Sequence, residues 1–167
     1  MSTVAVVVLN WNGLADTRAL LPTLAACRLP PGWSLTTIVV DNGSTDGSAA
    51  AIAAEFPEVT LLALPENRRF AGGNNPGLRL ALERGADAIM LLNNDTRADP
   101  GLIERLLVAL DEVPSAGAGD RSSISAFRAS ASGMRVDGWS RGSAGPRIAA
   151  CARSIRDSID RSSAPVT

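Results

Sequence analysis

The sequence predicts an α/β fold built on a parallel, doubly wound sheet. Three observations carry that expectation. Short apolar runs alternate with helical periodicity four times before about residue 113. The clearest runs are continuous and β-branched rather than alternating, as suits strands buried on both faces. Three of the four runs end abruptly in Asn or Asp with Gly, Ser or Thr close by.

Taken in order, Val4 to Leu9 reads as the first strand, stopping at Asn10-Trp11-Asn12-Gly13. Asp16 to Cys27 follows as a helix carrying Leu20, Leu21 and Leu24, with Pro22 expected to kink or shorten it. Leu35 to Val40 is the second strand, ending in Asp41-Asn42-Gly43-Ser44-Thr45-Asp46-Gly47-Ser48, which is dense turn and capping chemistry. Ala49 to Phe56 forms the second helix, and Val59 to Leu62 a third, shorter strand. A loop from Pro65 to Asn75 precedes a helix expected to begin at Pro76 and stop at Gly85. Ala86 to Leu92 is the fourth strand, ending in Asn93-Asn94-Asp95. Asp99 caps and Pro100 opens a last helix with Leu102, Ile103, Leu106, Leu107 and Leu110 on its apolar side.

Parallel strands joined by right-handed crossovers bring their C-terminal ends to one edge, where open α/β sheets bind ligands. Asn10–Asn12, Asp41–Asn42 and Asn93–Asp95 are therefore expected to converge. A carboxylate there suits a hard divalent cation, which prefers oxygen ligands.

Beyond residue 118 the sequence changes character. Residues 1–118 hold 19 leucines and six glutamates, and residues 119–167 hold neither. The first part carries 13 acidic and 8 basic residues and the second 4 and 8, so the charge changes sign. Arg, Ser, Ala, Gly and Pro supply 34 of the 49 tail residues, and lysine is absent from the whole chain. Shifted reading of GC-rich DNA gives such a mixture, so the tail is expected to be either a frameshifted translation or a flexible extension without a packed core.

Composition removes several function classes. The chain has no histidine, which excludes Ser-His-Asp catalysis and His-ligated zinc. Two cysteines, Cys27 and Cys151, make no disulfide framework and read as idle thiols. A net charge of −1 gives no reason to expect nucleic acid as a partner. The apolar run Val4–Leu9 is too short for a signal peptide core, and none reaches membrane length, so a cytoplasmic location is expected.

The segments Leu9-Asn10-Trp11-Asn12-Gly13, Val40 to Gly47, Asn67 to Asn75 and Leu92-Asn93-Asn94-Asp95-Thr96 occur in that order. Together they resemble the family 2 glycosyltransferases of GT-A fold, closest to the bacterial rhamnosyltransferase-like members that decorate cell-surface polysaccharides. The resemblance covers residues 3 to about 113 and is carried by the order of the motifs rather than by any one of them. It implies a Rossmann-like parallel sheet of the GT-A type, incomplete here, with residues 1–117 as the donor-binding part and 118–167 as a poorly structured tail.

The resemblance also implies site roles. Asn93-Asn94-Asp95 stands where the family has its DxD motif, with Asp95 holding Mg²⁺ or Mn²⁺ against the donor diphosphate. Asn93 stands where an Asp is usual and is left to hydrogen-bond ribose or a metal-bound water. Asp41 or Asn42 would recognise the nucleobase, the choice between them open. Trp11 would stack on the base or else pack under the first helix. Arg68 and Arg69 would meet phosphate or remain a solvated pair, and Gly72-Gly73 would let the backbone approach the ligand. Arg69 stands where the family commonly has Gly. Leu9, Asn10, Asn74 and Asn94 complete the expected nucleotide contacts.

The family's downstream acidic motif, which supplies the general base, has no counterpart among Asp120, Asp137, Asp157 and Asp160, so no catalytic base is assigned. The expected function is thus the donor half of an inverting enzyme that moves a sugar from a nucleotide-diphospho-sugar to a glycan or polysaccharide acceptor, with little or no transfer by this chain alone. The competing reading is a non-catalytic nucleotide-sugar binding module. A nucleotidyltransferase would want a basic phosphate loop after the first strand, and Asn10–Gly13 has no Lys or Arg.

Overall fold

The computed structural model describes residues 1–112, 118–121 and 124–128, with side chains placed through Asp111. Four strands, β1 (Ser2–Asn10), β2 (Trp33–Asp41), β3 (Thr60–Ala63) and β4 (Ala88–Asn93), alternate with α1 (Leu14–Ala25), α2 (Ser48–Glu55), α3 (Arg69–Glu83) and α4 (Leu102–Glu112). Two further strands, β5 (Ala118–Arg121) and β6 (Ile124–Arg128), follow. The sheet order is β3-β2-β1-β4-β6-β5, with the first four strands parallel and β6 antiparallel to both β4 and β5. The parallel α/β sheet agrees with the expectation.

Both faces of the sheet are covered, which is why the strands read as continuous apolar runs. On one face Val4, Val6, Val8, Val39, Met90 and Leu92 pack with Leu20 and Leu24 of α1, Ile52 of α2 and Ile103 and Leu107 of α4. On the other face Ala5, Val7, Ile38, Val40, Ile89 and Leu91 pack with Leu78 and Ala81 of α3. Successive residues of β1 thus enter different cores, as the period of two along a strand requires.

Two sequence expectations give way. Helix α3 begins at Arg69, seven residues before Pro76, and runs through it. Close packing overrides the preference of proline for a first turn. A Cβ on Gly73 would lie 2.6 Å from Leu9 Cδ1, and one on Gly77 would lie 2.6 Å from Val7 Cγ1 and 2.7 Å from Val40 Cγ2. These glycines, four apart on one helix face, let the backbone of α3 rest directly on the sheet. The second correction concerns the sheet's edge. A four-stranded sheet would leave β4 open, but Ala88 to Leu92 pair with Arg128 to Ile124 of β6. Two strands therefore fall within the stretch expected to hold none. The rest of that expectation lies outside the described residues. Helix α1, by contrast, accommodates Pro22 without ending there.

Candidate nucleotide and metal site

Strand register aligns the polar ends. Asn10 lies opposite Asp41 in the β1–β2 ladder, and Leu9 lies opposite Asn93 in the β1–β4 ladder. Side chains then tie the ends together. Asn10 Nδ2 donates to Asp41 Oδ2 at 2.8 Å and to Ser44 Oγ at 3.2 Å. Its Oδ1 accepts from Thr17 Oγ1 at 2.9 Å and from Asn94 Nδ2 at 3.3 Å. Both donors and both lone pairs of this fully buried amide are engaged within the protein. The expected convergence is present.

Asp41 is 2% exposed, and its Oδ1 also accepts the Ser44 backbone N–H at 2.9 Å. Two of the roughly four acceptor positions of the carboxylate are thereby used. Asn42 is differently placed. Its Nδ2 donates to Asn67 Oδ1 at 3.0 Å and to Arg69 O at 3.2 Å, and its Oδ1 accepts the Arg68 N–H at 2.9 Å. Asn42 braces the 67–69 segment. The backbone leading into it, at Glu66 and Asn67, crosses closely above Gly43, whose φ is +73° and whose Cβ, if present, would lie 2.5 Å from the Glu66 carbonyl carbon. The turn before α2 closes on the first strand end, with Asn12 N–H donating to Ser44 Oγ at 2.9 Å and Thr45 N–H to Asn12 Oδ1 at 2.8 Å. Asp46 holds this turn from the other side, accepting from the Ser48 N–H at 3.0 Å and from the Ser48 hydroxyl. The hydroxyl bond is the main reason that its carboxyl titrates below the ordinary aspartate range.

The remaining residues of the expected set divide by exposure. Leu9 is half-buried beneath Gly73, and Asn74 is buried with Nδ2 donating to Phe70 O at 2.9 Å. Gly72 is half-buried, and a Cβ there would lie 2.9 Å from Arg68 Cβ. Arg68, Arg69, Asn93 and Asp95 are exposed, and neither arginine forms an ion pair among the described residues. Trp11 is 56% exposed, so it does not pack under α1, and Phe70 is equally exposed.

Asp95 makes no side-chain hydrogen bond or ion pair among the described residues, and no cluster of three acidic, Cys or His residues stands there. A free carboxylate without companions fits Mg²⁺ or Mn²⁺ only as those ions are held on nucleotide substrates, with one or two carboxylates and the remaining positions filled by phosphate oxygens and water. It does not fit a cation caged by protein alone.

Thr17 and Ser44 are central to this network but were not among the sequence candidates. Thr17 carries a signal that would have found it: it heads the buried stripe Thr17, Leu20, Leu21, Leu24 of α1, where a hydroxyl must have a partner. Cys27, half-buried and in no disulfide, lies just after the C-cap of α1, and burial pushes its thiol pKa up.

A parallel sheet with polar strand ends gathered at its C-terminal edge, and an exposed carboxylate at one of them, belongs to the open α/β class, which binds ligands at that edge. Comparison with known proteins narrows the class. The model for "Glycosyl transferase family 2" matches residues 6–141, and the chain belongs to that family. It is 31% identical over 103 residues to the N-acetylglucosaminyl-diphospho-decaprenol L-rhamnosyltransferase of Mycobacterium tuberculosis, covering 57% of this chain and 34% of the relative. The chain thus spans about a third of the length of the curated relatives it matches. Among solved structures, the mannosyltransferase PcManGT from Pyrobaculum calidifontis in complex with GDP-Man and Mn²⁺ has TM-score 0.60 at 22% identity, over 75% of this chain and 44% of that one. S. aureus TarS 1-349 in complex with UDP-GlcNAc has TM-score 0.57 at 21% identity, over 70% of this chain and 33% of that one. Those likenesses show the GT-A-type fold, and the family match extends past residue 113, where the resemblance read from motifs stops.

Proposed function

We propose that this chain is the donor-binding part of an inverting, metal-dependent glycosyltransferase, and that it binds a nucleotide-diphospho-sugar with Mg²⁺ or Mn²⁺. The observation that carries this reading is the exposed Asp95 carboxylate in the turn directly after β4, on the same edge as buried Asp41. Donor complexes in two structural neighbours, one with GDP-Man and Mn²⁺ and one with UDP-GlcNAc, support it. A rhamnosyl donor suits the curated relative's name.

The residues take distinct roles. Asp41, not Asn42, receives the base N–H, because its carboxylate retains about two acceptor positions while Asn42 Oδ1 already accepts the Arg68 N–H and retains one. Trp11 offers a flat apolar face for the base, and Arg68 a cation for phosphate oxygens. Asp95 holds the cation with Asn93 beside it. When bound, the cation neutralises charge on the departing diphosphate. Leu9, Asn10, Gly72 and Asn74 shape the floor and walls, whereas Asn94, expected from the motif to contact nucleotide, turns its amide to Asn10, Gly13 and Thr17 instead. The acceptor is a glycan hydroxyl, and a carboxylate general base for it is not found in residues 119–167, which hold four isolated aspartates and no glutamate. The chain alone is therefore a binder with little or no transfer activity.

Calorimetric titration with UDP, dTDP and GDP, each with and without Mn²⁺, tests this reading. At least one diphosphate should bind more tightly with Mn²⁺, and Asp95→Ala should lose about tenfold or more of that affinity. Equal affinity in Asp95→Ala removes the metal role. Robust sugar transfer by the purified chain overturns the assignment as a donor half.

A further inference from the structure

Asp95 sits on a turn that the sheet itself does not fix. The β1–β4 ladder ends at the pair Leu9 and Asn93, and Thr96 Oγ1 donates only locally, to Asn93 O at 2.7 Å. Among the described residues from 93 to 96, Asn94 alone sends a side-chain hydrogen bond to another element. Its Nδ2 lies 3.3 Å from Asn10 Oδ1, 3.3 Å from Thr17 Oγ1 and 3.4 Å from Gly13 O, a shared arrangement of two hydrogens among three acceptors. Thr17 is fully buried and donates in turn to Asn10 Oδ1. Asn10 passes the contact on to Asp41 through Nδ2. An independent feature of the chain respects the same arrangement. A Cβ on residue 13 would lie 2.5 Å from Asn94 Nδ2, and residue 13 is glycine. Its φ of −129° is open to any residue, so space for the Asn94 amide, not backbone geometry, excludes a side chain there.

We propose that Thr17 and Asn94 are positioning residues which, through Asn10, hold the turn bearing Asp95 in register with Asp41. They do so without touching nucleotide or cation. The inference rests on the reading of Asp95 as the cation ligand and deepens it. Its consequence is energetic coupling: cation at one end of the node and nucleoside at the other reinforce each other only while the node fixes their separation. Removing one hydrogen bond in a buried network lowers an equilibrium constant by a factor of about 2 to 13.

The readout is the ratio of affinities with and without Mn²⁺, measured by calorimetry for whichever of UDP, dTDP or GDP binds the unmodified protein most tightly. Asn94→Ala, Thr17→Val and Gly13→Ala should each lower that ratio about fivefold while leaving metal-free affinity within about twofold. Thr17→Ser, which keeps the hydroxyl, should restore the ratio. Asn94 and Gly13 lie at half-buried loop positions and Val is isosteric with Thr, so three separate variants guard against a failure to fold. An unchanged ratio in folded Asn94→Ala and Gly13→Ala overturns the positioning role while leaving the donor-site reading intact. A ratio of one in the unmodified protein overturns both.

Discussion

Arg69 holds a φ of +60° at the first residue of α3, in a region that costs an ordinary side chain about 1–2 kcal/mol. Asn12 shares a positive φ, of 49°, but Asn tolerates that conformation well. At residue 69 the structure supplies a physical reason for the glycine that the family commonly carries there. Arg69→Gly relieves the strain, against about 0.5–1 kcal/mol of added backbone entropy in the unfolded chain. The variant should gain up to about 1 kcal/mol in urea denaturation, and a loss of stability would show that the Arg69 side chain contributes more than its backbone costs. Individual residues were unevenly legible. Asp41 and Asp95 stood out because carboxylates at strand ends are chemically conspicuous. Thr17 was less conspicuous: its place at the head of the Leu20, Leu21, Leu24 stripe marks it as buried, but its partner is known only once the strand end behind it is located.

Among the elements, α3 shows how packing decides between local signals. Proline at 76 and glycines at 72, 73 and 77 all argue against a helix beginning at 69. The helix forms because glycine alone permits its close seat on β1 and β2, an advantage invisible to local propensity. Gly77→Ala should destabilise the protein by about 1–3 kcal/mol, since fully buried Val7 and Val40 have no room to yield. A thermal melt within about 1 °C of the parent would contradict that packing. The helix ends also set the acid response. Asp99 accepts the Gly101 N–H at 2.9 Å and pairs with Arg105 at 2.7 Å, and these contacts lower its pKa. The Ser48 hydroxyl lowers that of Asp46, and the Arg18 guanidinium that of Glu55. Folded values below unfolded ones mean stability present above about pH 4 and lost as pH falls through the lowered values. All three groups are exposed, so the decline in melting temperature below pH 4 should be shallow and should flatten in high salt. Salt-independent acid unfolding would place its cause elsewhere.

At the level of the whole molecule, the parallel sheet was legible because buried strands advertise themselves as apolar runs. Its antiparallel extension was not. The β5 segment Ala118-Gly119-Asp120-Arg121 has no β-branched residue, and its place depends on a neighbour whose register is fixed by β4. Nonlocal pairing of that kind leaves little trace in a window of sequence. The same sheet gathers three polar strand ends at one edge, and none of the described helices is long and apolar enough to cross a membrane. On the function proposed above, this edge holds a nucleotide diphosphate through a cation on Asp95. Paramagnetic broadening of backbone amide signals by Mn²⁺, with UDP, dTDP or GDP present, tests it most directly. Broadening should centre on residues 93–96, extend to 10–12 and 41–44, and vanish in Asp95→Ala. Broadening centred elsewhere, or undiminished in Asp95→Ala, would contradict it.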